Sequence, residues 1–370
     1  MNKVCHLTSA HPVDDIRIYH KECLSLARAG YPVVLIAGGA DASKVVRAKA
    51  KGLEVVGVTR FRHRLLRMTA TPLLICLKAL RCRAALYHLH DPELLLAGYL
   101  LKLAGKRVVY DAHEDTSRQI LSKYYLNRPM RWLASRIIRA MEDLAARTFD
   151  GIITPTAGVK KGFPRAWHHK ITQVANYPDV HEISAISEGL RSTTLCYVGA
   201  ISQSRGIHTL VESLAYHRAS LELAGPVYPP QLAGQVLRGK HASRIRYHGV
   251  VGRPAIQSIL SKAAVGVVVL LPGENHQISL PIKMFEYMAA GLPVIASDFP
   301  LWKQIVEDNG CGVCIEPGNP QLLGETVEHL LENDALRTRM GNNGRRAVQQ
   351  KYNWAGEEKR LLQLYEKLLG

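Results

Sequence analysis

The chain alternates short apolar runs with longer stretches of helical periodicity, and this alternation predicts its secondary structure. In the first half, strands are predicted at KVCHLTS, YPVVLIAGG, ALYHLHD, KRVVYDAHE and GIITPT. Helices are predicted between them at RIYHKECLSLARAG, at PELLLAGYLLKLAG and around Met130 to Ala146. Strands separated by helices of about 10–15 residues are typical of βαβ units on a parallel sheet.

The second half repeats this alternation. Its strands are predicted at TTLCYVGAI, ASLELAGP, RIRYHGVV, VGVVVLLP, PVIASD and GVCIEP. The segment from Ala175 to Gly189 lacks periodicity and carries Pro and Gly, so we interpret it as a linker. We predict an α/β chain of two Rossmann-like, doubly wound parallel-sheet domains, residues 1–178 and 190–350, with a closing helix at about 354–370 that packs back on the first. Because ligands bind beyond the carboxyl ends of such strands, we expect both domains to face a central cleft.

The net charge of +17 is unevenly distributed and changes the picture of the first domain. Residues 1–180 hold 29 Lys and Arg against 14 Asp and Glu, whereas residues 181–370 hold 19 against 17. This asymmetry predicts an anionic partner for the first half, either nucleic acid or an acidic membrane surface.

Two stretches of the first half mix cations with apolar residues. Residues 45–68 include Arg60, Arg62, Arg64 and Arg67, and residues 128–147 surround Trp132 with Arg, Leu and Ile. This composition favours an amphipathic membrane-surface face, with a solvated charge run as the alternative. The apolar runs are shorter than the roughly 20 residues of a membrane span and no secretory signal is recognised, so we expect a cytoplasmic protein peripherally associated with the inner membrane. The seven scattered cysteines indicate reduced thiols.

Opposite charges stand one turn apart in LPIKMFEYMAAG, a predicted buried helix. Pro281 suits the first helical position, where the first-turn N–H groups and the helix dipole favour an anion. Lys283 adds a cation to that turn, which indicates a negative ligand, and Glu286 could accept hydrogen bonds from a ribose. The alternative is a simple ion pair between the two. Arg205, before another helix start, could hold a diphosphate with its guanidinium fork.

Polar side chains also end two neighbouring strands of the first domain. His90 and Asp91 follow one strand and His113 follows the next, which makes them candidates for a site at the sheet edge. With Glu114 they do not form a coherent metal-ligand set. The sequence contains no phosphate-binding G-x-x-x-x-G-K-[ST] loop, no D-x-D element and no G-x-S-x-G nucleophile elbow. We therefore expect no metal and no cofactor.

Five of these segments together resemble the family-4 glycosyltransferases, retaining enzymes of the GT-B fold, of the polysaccharide and O-antigen type. The resemblance extends in matching order from about Val4 to the final YNWAGEEKRLLQLY. It is carried by HPVDDIRIYHKECLSLARAGY, HDPELL, VVYDAHE, YVGAISQSRGIHTLVESL and LPIKMFEYMAAGLPVIASDFPLWKQIV.

The resemblance implies a role for individual residues. Glu286 matches the second glutamate of the family's Glu-x7-Glu motif, which binds the donor ribose; Lys283 and Arg205 match the cationic positions that hold the donor diphosphate. His113 matches the histidine that reaches toward the transferred sugar. The implied donor site also includes Ser279, Leu280, Pro281, Ile282 and Val250, and the implied sugar-facing or acceptor-facing residues are Asp15, Arg17, His90, Asp91 and Glu114.

The sequence departs from the family pattern at two places. Ile278 stands where the first glutamate of the motif belongs, and Ala200 and Ile201 stand where the family often has an arginine. Neutralisation of the diphosphate would therefore depend on Arg205, Lys283 and backbone N–H groups.

The resulting hypothesis is a retaining, metal-independent hexosyltransferase or N-acetylhexosaminyltransferase. It would move a sugar from a nucleotide-diphosphate donor, which we expect to be a UDP-sugar, to a lipid-linked saccharide in polysaccharide, O-antigen or lipopolysaccharide synthesis. One alternative is a nucleotide-sugar epimerase of similar fold, which would need acid and base carboxylates that we do not find. The other is a basic nucleic-acid-binding protein, which the charge permits, although aromatic residues are only 6% and no nucleic-acid motif is recognised.

Overall fold

The computed structural model describes residues 2–39, 52–59, 61, 63–121, 126–180 and 193–370. The chain divides into two compact units: unit 1 comprises Met1–Asn176 with Ala355–Gly370, and unit 2 comprises Tyr177–Trp354. Arg60, Arg62 and residues 181–189 of the predicted linker lie outside the described residues.

Unit 1 contains a seven-stranded sheet in the order β3-β2-β1-β4-β5-β6-β7, with every neighbouring pair parallel. The chain runs outward from β1 to β3 on one side and then returns to β4 on the other side of β1. This reversal is the position at which open parallel sheets form ligand sites. The strands are β1 Val4–Thr8, β2 Val33–Gly38, β3 Leu53–Val58, β4 Leu86–Leu89, β5 Arg107–Asp111, β6 Gly151–Thr154 and β7 Ile171–Gln173.

The helices of unit 1 include a π-helical segment, Ile16–Cys23, that continues directly into α1, Leu24–Arg28. Part of residues 45–68, which the sequence analysis treated as one basic amphipathic stretch, forms the edge strand β3 and the start of a long helix. Among the described residues before unit 2, the other α-helices are α2 Arg64–Cys82, α3 Leu95–Leu103 after a 3-10 turn Pro92–Leu94, α4 Thr116–Leu121, α5 Arg128–Thr148 and α6 Ala157–Lys160, and a 3-10 helix follows at Arg165–Lys170.

Unit 2 contains a second parallel sheet of six strands in the order β10-β9-β8-β11-β12-β13. Its strands are β8 Thr194–Val198, β9 Ser220–Ala224, β10 Ile245–Tyr247, β11 Val265–Val268, β12 Val294–Ser297 and β13 Gly312–Ile315. The helices that follow α6 are α7 Ile207–Glu212, α8 Leu232–Leu237, α9 Arg253–Lys262, α10 Glu274–Ile278, α11 Ile282–Ala289, α12 Pro300–Val306, α13 Pro320–Glu332, α14 Asp334–Gln350 and α15 Trp354–Leu369.

The core of unit 2 holds α11 against the middle of its sheet. The central strands β11 and β12 are buried over their whole length and rich in Val and Ile, as expected of strands covered on both faces. Gly266 in β11 permits a close approach, because a Cβ at this position would lie 2.3 Å from the Tyr287 ring. The Tyr287 hydroxyl accepts from the backbone N–H of Val198 at 2.8 Å, so α11 is tied to the carboxyl end of β8.

Among the described residues, no helix combines the length and the apolar character that a membrane span requires.

Candidate active site

The first turn of α11 is held in place by contacts on both sides. Helix α11 begins at Ile282, so Pro281 precedes the first helical residue instead of occupying that position as predicted. On the approach, the Ser279 carbonyl accepts from the indole Nε1 of Trp302 at 2.8 Å, and its hydroxyl donates to the His276 carbonyl at 3.1 Å. The backbone before the helix is therefore fixed by its neighbours, and the Pro281 carbonyl accepts from the first-turn N–H of Met284 at 3.0 Å.

Lys283 is buried and its ammonium has no hydrogen-bond acceptor among the described residues. The Nζ atom lies 3.4 Å from the centroid of the Tyr197 ring. It also lies beside Gly199, where an added Cβ would be 3.1 Å from Nζ. Burial, with a smaller contribution from the charge of Arg205, places the pKa of Lys283 well below its ordinary value. A buried cation without an acceptor is costly unless an anion completes its environment.

Arg205 belongs to the same end of β8. It closes a 3-10 turn, Gln203–Arg205, directly before Gly206. Gly206 has φ of 75°, and a Cβ there would lie 1.8 Å from the Val269 carbonyl, so this turn requires glycine. Burial raises the pKa of the Tyr197 hydroxyl to about 12, and the nearby Arg205 guanidinium partly offsets that increase. The structure thus brings Arg205, Lys283 and Tyr197 together.

Glu286 interacts with a residue that the sequence analysis did not identify. Its Oε1 accepts from Nη1 of Arg253 at 2.5 Å, and Arg253 opens helix α9. Within the described part of the chain, Lys283 and Glu286 form no ion pair with each other, so the simple pairing considered as an alternative is not observed. The carboxylate is oriented from another helix and only 7% of the residue is exposed.

The remaining predicted donor residues occupy the loops around this turn. Leu280 packs against the core of unit 2, and Ile282 is the first residue of α11. Ile278, at the position of the missing glutamate, ends α10. Val250 lies in the loop after β10 and is 76% exposed, and no described contact places it beside Lys283.

In unit 1, Asp91 organises the loop after β1. Its Oδ2 accepts from the Thr8 hydroxyl at 2.8 Å and from the backbone N–H groups of Ser9 and Ala10 at 2.6 and 3.2 Å. His11 Nδ1 lies 2.8 Å from Oδ1. Burial alone would raise the pKa of Asp91, but the interactions with His11 and Thr8 outweigh it and hold the pKa well below its ordinary value. Asp91 is 1% exposed, and the hydrogen bonds described here engage it within unit 1.

Arg17 is likewise buried, and it binds Asp111 at the end of β5. Nε and Nη2 donate to the two Asp111 oxygens at 2.8 and 2.9 Å, and Nη1 donates to the Val174 carbonyl at 3.1 Å. Burial would raise the pKa of Asp111, but Arg17 and His113 lower it well below the ordinary value. Arg17 is 4% exposed, and its guanidinium is engaged inside unit 1.

His113 is the partly exposed member of this group. Its Nε2 lies 3.0 Å from Asp111 Oδ2 and 20% of the side chain is accessible. His90, predicted to face the acceptor, is 1% exposed and lies behind it, with Nδ1 3.4 Å from His113 Nε2. The arrangement resembles a carboxylate–histidine pair in which Asp111 fixes the ring orientation of His113.

The two other predicted sugar-facing residues have local roles. Asp15 caps the π-helical segment, since its Oδ1 accepts from the N–H groups of Arg17 and Ile18 at 2.9 and 3.0 Å. Glu114 accepts a hydrogen bond from Gln119 in α4.

Sequence reasoning missed Arg253, Tyr197 and Asp111, which contact the predicted site residues, and also the buried His6 and His88 of β1 and β4. Some of these left a signal: His88 and His90 alternate along β4 and so project to one face of the sheet. His6 is the register partner of His88 on β1, a relationship that requires the strand order. Arg253 lies 33 residues from Glu286, and no pattern in the sequence indicates that the two side chains are in contact.

Two units that are each built on an open parallel sheet have the architecture of the GT-B glycosyltransferases. The model of Glycosyltransferase Family 4 matches residues 20–180, and the model of Glycosyl transferases group 1 matches residues 181–347. Between them they account for nearly the whole chain in one continuous span. The chain belongs to the family-4 glycosyltransferases.

Similar proteins of known name agree with this assignment. The phosphatidyl-myo-inositol mannosyltransferase of Mycobacterium leprae is 25% identical over 288 residues, 75% of this chain and 72% of that protein. The enzyme of the same name from Mycobacterium tuberculosis is 26% identical over 298 residues, 76% of this chain and 74% of the relative.

Solved structures show the same fold. Sucrose-phosphate synthase from Thermosynechococcus elongatus superposes with a TM-score of 0.80 at 17% identity, covering 100% of this chain and 99% of that chain. HepE of Anabaena in complex with UDP-glucose has a TM-score of 0.74 at 16% identity, covering 99% of this chain and 100% of that chain.

Proposed function

We propose that this glycosyltransferase moves a sugar, with retained anomeric configuration, from a UDP-sugar to a lipid-linked saccharide in cell-surface polysaccharide or O-antigen synthesis. The observation that carries the donor assignment is Lys283, a buried ammonium without an acceptor at the carboxyl end of β8. A diphosphate supplies the negative charge and the acceptor oxygens that this position lacks.

In this proposal the cations stabilise the leaving group. As the bond between the anomeric carbon and the diphosphate oxygen breaks, negative charge grows on the diphosphate, beside Lys283 and Arg205. Preorganised cations act where charge develops in the transition state, and their buried setting strengthens the interaction. This role requires no metal ion, so we propose metal-independent catalysis.

Glu286 is assigned to the donor ribose. Arg253 occupies Oε1, and the proposal gives Oε2 to a ribose hydroxyl. Held by Arg253, the carboxylate is oriented as a hydrogen-bond acceptor, which suits the vicinal hydroxyls of a nucleotide. Ser279, Leu280, Pro281 and Ile282 form the backbone around the same ligand.

His113 of unit 1 is assigned to the transferred sugar, as the family resemblance implies. The acceptor hydroxyl oxygen bonds to the anomeric carbon on the face from which the diphosphate leaves, and the hydroxyl proton passes to the departing phosphate oxygen. Asp111 supports this role by holding Nε2 of His113 at 3.0 Å.

The choice of donor base and acceptor draws on the relatives. HepE was solved with UDP-glucose, which supports a UDP-sugar. The mycobacterial relatives are named for mannosylating phosphatidyl-myo-inositol, a lipid, which supports a lipid-linked acceptor.

The outer surfaces of three helices support a membrane location for that acceptor. In unit 1, α3 packs beside both α2 and α5, and we call their combined solvent face the apolar face. These helices carry ten Lys and Arg against two Asp and Glu. Cations around exposed apolar side chains match an anionic lipid surface. Exposed members are Leu66, Met68, Leu73, Leu77, Leu80, Leu96, Leu100, Leu103, Met130, Trp132, Leu133, Ile137 and Leu144.

Calorimetric titration with UDP and with GDP, each with and without magnesium, tests the proposal. We expect UDP to bind the wild type without magnesium and Arg205→Ala to weaken binding strongly. The matched control is Arg339→Ala, which removes an exposed arginine from α14. Preferential GDP binding would replace the proposed base, a magnesium requirement would overturn metal independence, and equal affinity in both variants would remove Arg205 from the donor site.

A further inference from the structure

A second cluster of polar side chains lies inside unit 1, separate from the proposed donor site. His6 of β1, His88 of β4, His90 after β4 and Glu22 of the π-helical segment converge there. Each of the four is at most 1% exposed. We call this set the histidine cluster. Nothing in the proposed transfer reaction uses His6, His88 or Glu22.

The donor atoms of the histidine cluster are close enough to share one ion. All four lie within 4.8 Å of one another. His6 Nδ1 is 2.8 Å from His90 Nε2, and Glu22 Oε2 is 3.9 Å from that same His90 nitrogen. His88 offers Nε2, which is buried and has no hydrogen-bond partner among the described residues. A tetrahedral zinc ion with bonds of about 2.0–2.1 Å sets its ligand atoms about 3.3–3.4 Å apart. The observed separations lie on either side of that value, so small movements of the side chains would bring the donor atoms to the spacing of a tetrahedral zinc site.

The carboxylate of Glu22 is the unexplained part of the cluster. Neither of its oxygens has a hydrogen-bond partner among the described residues, although both are buried. Arg17 Nε lies 3.0 Å from Oε1, but the guanidinium donates to Asp111 and Val174. The buried guanidinium of Arg17 thus lies beside two buried carboxyl groups, those of Glu22 and Asp111. Glu22 and Asp111 share the charge of Arg17, and a further cation or a proton must balance the second buried carboxylate.

Backbone geometry directs Glu22 into the cluster. Glu22 and Arg17 are five residues apart, and in an α-helix they would point about 140° away from each other. Because the segment Ile16–Cys23 is π-helical, both face the interior of unit 1 and both are buried. Single π-helical turns occur frequently at functional sites.

The second ring nitrogen of each histidine contacts another polar group, as is usual for histidines that bind a metal ion. The Tyr365 hydroxyl is 3.1 Å from His6 Nε2 and 2.8 Å from His88 Nδ1. His90 Nδ1, the nitrogen facing away from His6, is 3.5 Å from Asp111 Oδ2. Ligating histidines usually engage their second nitrogen with such groups, which fixes the tautomer and orientation of each ring.

We propose that His6, His88, His90 and Glu22 form a structural zinc site. Three imidazoles and one carboxylate are a donor set suited to zinc, and a fully buried four-ligand site is typical of structural rather than catalytic ions. The ion would link β1, β4 and the π-helical segment behind His113 and would neutralise Glu22. This inference is independent of the donor assignment, because the ligands lie in unit 1 and zinc content is measured without turnover.

The first experiment measures zinc in purified protein. Wild type, Glu22→Gln and His88→Gln are expressed in zinc-supplemented medium, desalted and analysed by mass spectrometry for metals. The control is His217→Gln, which alters a buried histidine of unit 2. We expect about one zinc per chain in wild type and control, and loss in the two cluster variants. Wild type without zinc, or equal zinc in Glu22→Gln, would overturn the proposal and leave a proton on Glu22 as the neutralising charge.

Two further variants keep the proposal testable if those do not fold. His88→Cys retains a ligand, so protein grown with cobalt should show a thiolate-to-cobalt charge-transfer band that wild type lacks. Tyr365→Phe leaves all four ligands, and we expect zinc affinity to fall about 10–100-fold, as for other groups behind metal ligands. A folded His88→Cys protein without cobalt, or unchanged zinc affinity in Tyr365→Phe, would contradict the site.

Discussion

The ammonium of Lys283 lies 3.4 Å from the centroid of the Tyr197 ring, and no described hydrogen-bond acceptor reaches it. The aromatic face compensates part of the cost of burying the charge, but it leaves all three N–H donors available. The free-energy cost of desolvating the ammonium has already been incurred on folding. A ligand that brings anionic oxygens to Lys283 therefore binds without incurring that cost again.

Replacing Lys283 should therefore separate stability from binding. In Lys283→Met the buried charge disappears while the stem keeps its volume, so we expect a free energy of unfolding equal to or above that of wild type. Loss of charge-assisted hydrogen bonds of about 1.5–3 kcal/mol should weaken UDP binding about 10–100-fold. Urea unfolding and calorimetry measure the two effects, with Lys303→Met, an exposed site on α12, as the control. A variant that is destabilised and still binds UDP would show that the ammonium has a structural role only.

Lys283 should also make UDP binding depend on pH. Burial lowers its pKa in the free protein, and a diphosphate favours the charged form, so binding raises the pKa again. Above the free-state pKa the protein must take up a proton to bind, and affinity should fall as pH rises. Calorimetry in two buffers of different ionisation enthalpy, above about pH 7.5 and well past the phosphate pKa of about 6, would detect this uptake. Binding without proton exchange, or equal exchange in Lys283→Met, would contradict it.

Arg253 should act on the donor through Glu286. The bond between them joins residues 33 positions apart, and it orients a carboxylate that otherwise has freedom to turn. We expect Arg253→Met to weaken UDP binding about tenfold, and the double variant with Glu286→Gln to bind no worse than Glu286→Gln alone, because residues in one network are not additive. Lys262→Met, on the same helix, serves as the control. Fully additive losses would show that Arg253 contacts the ligand by itself.

Much of this arrangement could be predicted from the sequence, and the exceptions have physical reasons. Strands such as VGVV and VIAS are continuous apolar runs because both of their faces are covered, so their positions are visible in the pattern. Lys283 stood out because a cation is unusual in the first turn of a buried helix. Helix α2 was missed because Pro72 interrupts its interior and cations begin it, which obscures the helical signal.

The burial of the residues predicted to face the sugar could not be predicted from the sequence, because it depends on contacts in the three-dimensional structure. His90 and Asp91 do follow the end of a strand, as site residues often do, and Arg17 lies in the π-helical segment after β1. Many of their polar atoms, however, are paired with partners far away in the sequence, such as Ala10, 81 residues from Asp91, and Val174, 157 residues from Arg17. Periodicity reports the local environment of a residue and carries no information on such distant partners.

Asp91 should contribute stability that is lost in acid. Its pKa is depressed in the folded protein, so its contribution is present above the unfolded-state pKa of about 3.9 and decreases as pH falls through and below that value. We expect Asp91→Asn to lower the free energy of unfolding by about 2 kcal/mol at pH 7, and the difference from wild type to shrink below about pH 4. Urea unfolding across this pH range measures it, and Asp308→Asn, at an exposed site, should show neither effect. A deficit that persists unchanged in acid would contradict the role of the ionised carboxylate.

The apolar face of unit 1 should bind anionic vesicles. On α5 the exposed residues Met130, Leu133, Ile137 and Leu144 recur at helical spacing, so they form one stripe, with Trp132 beside it. We expect the wild type to co-sediment with vesicles containing phosphatidylglycerol, but not with pure phosphatidylcholine, and to dissociate at high salt.

Two kinds of variant distinguish the contributions to this binding. Leu133→Glu with Ile137→Glu should abolish it, whereas Tyr228→Glu, which changes an exposed aromatic residue of unit 2, should not. Arg131→Gln with Arg136→Gln removes two cations at about 1 kcal/mol each and should weaken binding about 30-fold. If all variants sediment like wild type, or if neutral and anionic vesicles bind equally, the apolar face is not the membrane contact, and a lipid-linked acceptor would have to be reached from another surface. UDP binding should be unchanged throughout, because the variants on the apolar face leave unit 2 intact.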